Sequence, residues 1–279
     1  MSKIREKIKL TSYDELLKVD SADGFKEVEI DNLIEFRNHP FKVIDDEKMD
    51  ELIESIKERG ILSPILVREL GDKYEVISGH RRMHAAEKAG LVTVPVIIRE
   101  LTDEDATIIM VDANIQREEI LPSERAFAFK MKLDAVNHKG IKGTSSRELV
   151  GESSGISGRQ VTRYIKLTEL IPELLDMVDE KKITITVANE IADLSKEEQQ
   201  EILDYLNIGY SVNEAQLKAI KNKEMAVNDI LKPDKKEKTK VTIPEKKLYK
   251  YFPENYTRTE MENIIYQLLE KWKSEGYDI

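Results

Sequence analysis

The sequence predicts a multidomain, mainly helical chain: an α+β domain first, then an all-α helix-turn-helix domain, then a C-terminal helical segment. Three observations carry this. Up to about Glu100, short β-branched runs alternate with amphipathic stretches, whereas from Thr102 onward helical patterns dominate. With 279 residues, 40% of them apolar but only 6% aromatic, the chain suits two or three modest cores better than one large one. The 12 glycines and 8 prolines are too few for a long disordered chain. The boundaries read as an arm over 1–25, an α+β domain over 26–118, a helix-turn-helix domain over 119–220, a charged linker over 221–247 and an amphipathic segment over 248–279.

Within the first domain, Met49, Leu52, Ile53 and Ile56 recur at helical spacing between Asp46 and Arg59, and Gly60 stands as the stop. Pro64–Arg68 reads as a strand, Gly71-Asp72 as a turn and Tyr74–Ile77 as the hairpin partner. The chain then breaks at Gly79 into His80-Arg81-Arg82 and a helix that closes at Gly90. Val94–Ile98 forms a third strand, which Pro95 places at an edge or a strand start. Thr102 caps a helix with Asp103, Glu104 and Asp105 in its first turn, and its far end delivers Asn114-Ile115-Gln116-Arg117-Glu118. Pro122 and Ser123 open a long helix ending near Gly140.

Next, Ser145-Ser146-Arg147-Glu148 is a capping box for a short helix, and Ser153-Ser154-Gly155-Ile156 makes a tight turn. Ser157 caps a second helix in which Val161, Ile165 and Leu167 face inward, leaving Arg159, Gln160, Thr162, Arg163 and Lys166 outside. That is the layout of a helix-turn-helix reader: Arg pairs with guanine and Gln with adenine, while Ser146, Ser157 and Lys166 suit phosphates. An ordinary helical hairpin has the same pattern, so these residues alone leave both readings open. Helices continue over Glu173–Asp179, Val187–Leu194 and from the capping box at Ser195, before a lysine-rich linker over Lys221–Pro244. From Thr257 a stripe of Met261, Ile264, Ile265, Leu268, Leu269 and Trp272 calls for burial, on its own chain or on a second copy.

Charge and composition exclude several classes. The net charge of −10 opposes indiscriminate nucleic-acid binding, so any DNA contact must come from a local patch such as Arg147–Lys166. The absence of cysteine removes disulfides, thiolate chemistry and cysteine-ligated metals, and fits a reducing cytoplasm. No run approaches ~18 apolar residues, so the chain reads as neither secreted nor membrane-spanning. His80 and His84 share the spacing of zinc ligands, but no glutamate follows the first and Arg81 and Arg82 repel a dication, so no metal site is assigned. At Gly79 a β-branched run gives way to two arginines at a helix start, where open N–H groups and guanidiniums suit a phosphate chain.

Ser55–Arg68, then Ser78-Gly79-His80-Arg81-Arg82, then Asn114–Glu118, then the helix-turn-helix backed by Leu170-Ile171-Pro172-Glu173-Leu174-Leu175, resemble in order and spacing the ParB/Noc family of partition proteins. The resemblance implies a ParB-like CTP-binding domain in which Gly79, His80, Arg81 and Arg82 hold the triphosphate. It further implies that Asn114 and Arg117 converge on it and that Ser63 and Pro64 lie near the base. It implies a homodimer on a palindromic double-stranded DNA site, a ParA-type ATPase partner engaged by the arm around Lys3, Arg5, Lys7 and Lys9, and a cytoplasmic, nucleoid- or plasmid-associated location.

Three departures bear on the chemistry. His80 stands where the family usually has glutamate, and Asn38-His39-Pro40-Phe41-Lys42 lacks the family's usual arginine. Ala113 stands where the family has an acid that helps hold magnesium, and a methyl group ligates no hard cation. Asp112 is rotated about 100° away on the helix. Magnesium and hydrolysis are therefore left open, at most a weak CTPase, and no catalytic residue is assigned. The competing expectation is a transcription regulator or replication accessory factor that keeps the fold without a nucleotide switch.

Overall fold

The computed structural model describes residues 25–117, 120–141, 143–229, 251–252 and 256–274. The basic arm and most of the linker fall outside them. The chain divides into two compact units, Met1–Leu231 and Lys232–Ile279.

The first unit starts with a five-stranded mixed sheet in the order β1-β5-β3-β4-β2. Its strands are β1 (Lys26–Glu29), β2 (Leu33–Ile34), β3 (Ile65–Leu70), β4 (Lys73–Ser78) and β5 (Thr93–Ile98). β3 and β4 form the expected hairpin, with Leu70 opposite Lys73. β1 and β2 escaped the sequence reading because they are four and two residues long and bury only Val28 and Leu33 fully. Their presence corrects the placement of Val94–Ile98. β5 is no edge: it pairs antiparallel with β1 and parallel with β3, and Pro95 stands opposite Glu27 of the short β1.

Helices cover both faces of the sheet, since each face carries buried apolar side chains. On one side α1 (Glu47–Arg59), capped by Asp46, and α2 (His80–Ala89) bury Met49, Ile53, Ile56, Ala85 and Ala86 against Val67, Val76, Val94 and Val96. On the other, Leu66, Ile77 and Ile97 share a core with Ile108 and Met110 of α3 (Asp103–Ile115) and Phe129 of α4 (Pro122–His138). That core runs on without a break to Val150 of α5 (Thr144–Glu152) and Val161 of α6 (Gly158–Lys166). Lys132 of α4 is 2% exposed, with Nζ 2.5 Å from Asp112 Oδ1 and 2.8 Å from Ser153 Oγ.

α5 and α6 meet almost backbone to backbone. A Cβ on Gly151 would lie 2.2 Å from the Ile156 carbonyl oxygen, and one on Gly158 would lie 3.0 Å from Arg147 Cβ. A second core joins α7 (Pro172–Asp179), α8 (Ile185–Ile191), α9 (Lys196–Asn207) and α10 (Glu214–Lys221) through Leu174, Ile191, Ile202 and Leu217. α8 starts earlier than its apolar pattern suggested because Thr184 caps it, accepting from the Val187 amide. α10 was not anticipated: it is short, and its signal is the Asn213/Gln216 capping box. Lys221, read as the first linker residue, is the last residue of α10 and lies 2.5 Å from Asp193.

The second unit contains α11 (Arg258–Ser274), on which Leu268, Leu269 and Trp272 are exposed. Among the described residues no helix is long and apolar enough to cross a membrane.

Replacing Gly151 by Ala forces the Ile156 carbonyl aside, which predicts a loss at the upper end of the ~1–3 kcal/mol overpacking range. Denaturant unfolding checks it, and a loss below about 0.5 kcal/mol would mean that the helices separate freely.

Candidate functional site

The β4–α2 junction shapes the first cluster. Gly79 has φ 108°, a left-handed conformation that a side chain resists, and a Cβ there would meet Arg82 Nη2 at 3.1 Å and Ile65 at 3.3 Å. No side chain caps α2, so the N–H groups of its first turn remain directed at the space in front. The Arg82 guanidinium donates to the Ser63 and Pro64 carbonyls, the latter at 2.7 Å, and so ties the turn before β3 to the turn after β4. Arg81 meets Asp46 at 3.2 Å. Glu75, also close in sequence, is not available to these arginines, because Arg68 holds it at 2.6 Å in a buried ion pair.

The far end of α3 arrives at the same place. Arg117 lies over the Phe41 ring at 5.9 Å, and burial together with the neighbouring Arg81 charge pulls its pKa below the usual value, against the opposing Glu124. His80 is 3% exposed and packs against His39 with ring centroids 3.8 Å apart and planes tilted by 33°. Both nitrogens of His80 and Nε2 of His39 are buried without a well-formed hydrogen bond, the Val76 backbone approaching the His80 ring outside good geometry, while His39 Nδ1 lies 2.8 Å from the Phe41 carbonyl. Desolvation, reinforced by Arg117, pushes His39 down to about 4. Desolvation, His39 and Arg117 push His80 down to about 3, with the Val76 backbone opposing weakly. Gly79, His80, Arg81, Arg82, Ser63, Pro64 and Arg117 thus form one neighbourhood dense in positive charge.

Asn114 does not present its amide there: the buried side chain donates to the Met110 carbonyl of its own helix at 2.8 Å. Asp112 is engaged by Lys132, so it offers nothing at the position of Ala113. His84 points elsewhere than His80, to Asp45 at 2.9 Å. No group of acidic or histidine side chains suited to a metal occurs among the described residues.

A second site lies between α6 and α8: a groove of about 930 Å³ that gathers Arg147, Arg159, Gln160, Thr162, Arg163 and Lys166 with Thr186, Asn189 and Glu190. Arg159 is exposed, Gln160 closes the capping box with Ser157, and Thr162 donates to the Gly158 carbonyl at 3.0 Å. Arg163 donates to Thr186 at 2.7 Å, and Lys166 meets Asp193 at 2.7 Å. Ser157 is exposed at the start of α6, but Ser146 is buried and donates to the Gly143 carbonyl at 2.8 Å, so its hydroxyl shapes the helix start from inside. The α8 wall was missed by sequence reasoning, although Thr186, Asn189 and Glu190 fall at i, i+3 and i+4, the signature of one polar helix face.

The sequence is similar to several known proteins. The model of the ParB N-terminal domain matches residues 15–115. A probable chromosome-partitioning protein ParB from Coxiella burnetii is 32% identical over 192 residues, 69% of this chain and 64% of its own. A nucleoid occlusion protein from Bacillus mycoides is 31% identical over 233 residues, 82% of this chain and 76% of its own. The chain spans 54% to 64% of the length of the chromosome-partitioning relatives from Coxiella, Deinococcus and Thermus. The C-terminally truncated chromosome-partitioning protein ParB from Caulobacter crescentus, solved with the centromeric parS site, aligns at 25% identity over 73% of this chain and 95% of its own, with a TM-score of 0.43. With relatives of this identity and extent, the chain belongs to the ParB/Noc-like family of partition proteins.

Proposed function

We propose that the chain is a sequence-specific double-stranded DNA-binding protein for partition of a chromosome, plasmid or mobile element, in which CTP controls a clamp-like self-association on DNA. The observation that carries this reading is the meeting of the Gly79–Arg82 turn with the half-buried Arg117 from the end of α3. Open amide groups at a helix start and poorly hydrated guanidiniums suit a triphosphate, which would receive charge-assisted hydrogen bonds from both segments. The names of the relatives, chromosome-partitioning and nucleoid occlusion proteins, support the class.

In this reading Gly79 and His80 offer backbone amides, Arg81 and Arg117 meet the phosphates, and Arg82 fixes Ser63 and Pro64 beside the base. CTP drives closure only through higher affinity for the closed arrangement. The reading includes no magnesium ligand and no hydrolytic residue, because Ala113 is apolar and Asp112 is committed to Lys132. The groove between α6 and α8 reads bases through Arg159, Gln160 and Arg163, as a homodimer on a palindrome. The exposed Leu268, Leu269 and Trp272 of α11 supply a self-association surface. The arm, outside the described residues, is the segment for a ParA-type ATPase, and the location is cytoplasmic, on nucleoid or plasmid. A DNA-binding regulator without a nucleotide switch is the second reading, favoured by Asn114, whose amide is turned into its own helix.

Titration with CTP, ATP and GTP, with and without magnesium, tests the switch. CTP binding is expected in the intact chain, with at least a tenfold loss in Arg117→Ala at unchanged site-specific DNA affinity; equal CTP affinity in that variant would remove Arg117 from the pocket. Replacing Arg163 by Ala is expected to cost ~1–3 kcal/mol and relax sequence preference at one position. A uniform loss across unrelated DNAs, seen by competition binding, would make it a phosphate contact. Sedimentation of a chain ending near Lys240 is expected to show weakened dimerisation, and an unchanged dimer would take that role away from α11.

A further inference from the structure

The imidazole pair has no task in the reading above, yet it is costly to keep. His39 and His80 pack with ring centroids 3.8 Å apart, and three of their four ring nitrogens are buried without a well-formed hydrogen bond, an arrangement that folded proteins rarely retain without use. The groups facing the pair come from each element around it. Arg81 on α2 is tied to Asp46 at the start of α1; Arg117 comes from the end of α3; Glu124 of α4 is occupied by the amides of Lys42 and Leu121. Of these charges, Arg117 is the one that acts on both rings, and together with burial it opposes a proton on either. A phosphate chain seated at the Gly79 turn reverses the sign of that field.

We propose that the His39–His80 pair takes up a proton when a polyphosphate binds at the Gly79 turn, so that anion binding and protonation are one coupled event. This rests on the triphosphate reading of the turn and adds to it a regulator, the proton. In the free protein both rings are neutral between pH 6 and 8, since burial and Arg117 hold His39 near about 4 and His80 near about 3. The anion raises one of these values. A group whose pKa is higher in the complex strengthens binding as pH falls through the complex value, and the gain levels off below the free value. Each proton taken up steepens the affinity by at most tenfold per pH unit.

Histidine resonances of the full chain, four in all, are followed from pH 8 to 5.5 alone, with CTP and with inorganic tripolyphosphate. Calorimetry in two buffers of different ionisation heat counts the protons. The expected result is one buried histidine that titrates only in the complexes, with Kd at pH 6 about three- to tenfold tighter than at pH 8. That excess should shrink in His80→Gln or His39→Gln. Binding with no histidine titrating overturns the coupling and leaves the pocket standing. No binding of either probe at any pH removes the pocket and the coupling with it. The wild-type resonances decide the matter even where a variant fails to fold.

Discussion

One buried ammonium ties α3 to the turn between α5 and α6. Lys132 on α4 holds Asp112 of α3 and the hydroxyl of Ser153 in the turn between α5 and α6. A charge at this depth cannot be left alone: removing its partner costs about 3–5 kcal/mol. Any shift of α3 along α4 must therefore carry the α5–α6 turn with it or find a new counter-charge. The shared core reaching from Ile97 and Met110 to Val150 and Val161 acts in the same direction, because close-packed side chains shift together and do not stretch apart. Asp112 lies five residues before Arg117, so the last turns of α3 connect the surroundings of Gly79 to the turn between α5 and α6.

Local rules in the sequence carried much of the fold. Thr102, Ser157 and Ser195 each cap the helix that their position announced, because an N-cap needs only a hydroxyl or carboxylate within three residues of the amide that it accepts from, whereas the capping box read at Ser145 fails because α5 already begins at Thr144. β1, β2 and α10 were illegible for the opposite reason: they are too short for a period to accumulate, and pairing or packing stabilises them from outside. In the candidate site, the glycine turn and its arginines stood out, but the meeting with Arg117 is tertiary and only the family resemblance suggested it. The self-bonded Asn114, the Asp112–Lys132 pair and the His39–His80 contact could not be read at all, because each depends on a rotamer or a partner distant in the chain.

The groove between α6 and α8 is already organised without a partner. Arg163 rests on Thr186, and Asp193 holds both Lys166 and Lys221. These contacts limit the rotamers of long side chains, which lowers the ordering entropy left for binding. They also mean that any anion entering the groove would compete with Asp193 for Lys166. The gain in charge pairing is then smaller than a count of basic residues suggests, which accords with a net charge of −10.

The sheet ends on one side with four residues, Lys26-Glu27-Val28-Glu29, and on the other with two, Leu33-Ile34. Margins this brief, one of them alternating charge with a single valine, are poor templates for a strand from a neighbouring molecule. A high local concentration of the chain thus carries little risk of cross-β aggregation through this sheet, whose reactive flanks are too small to seed a fibre.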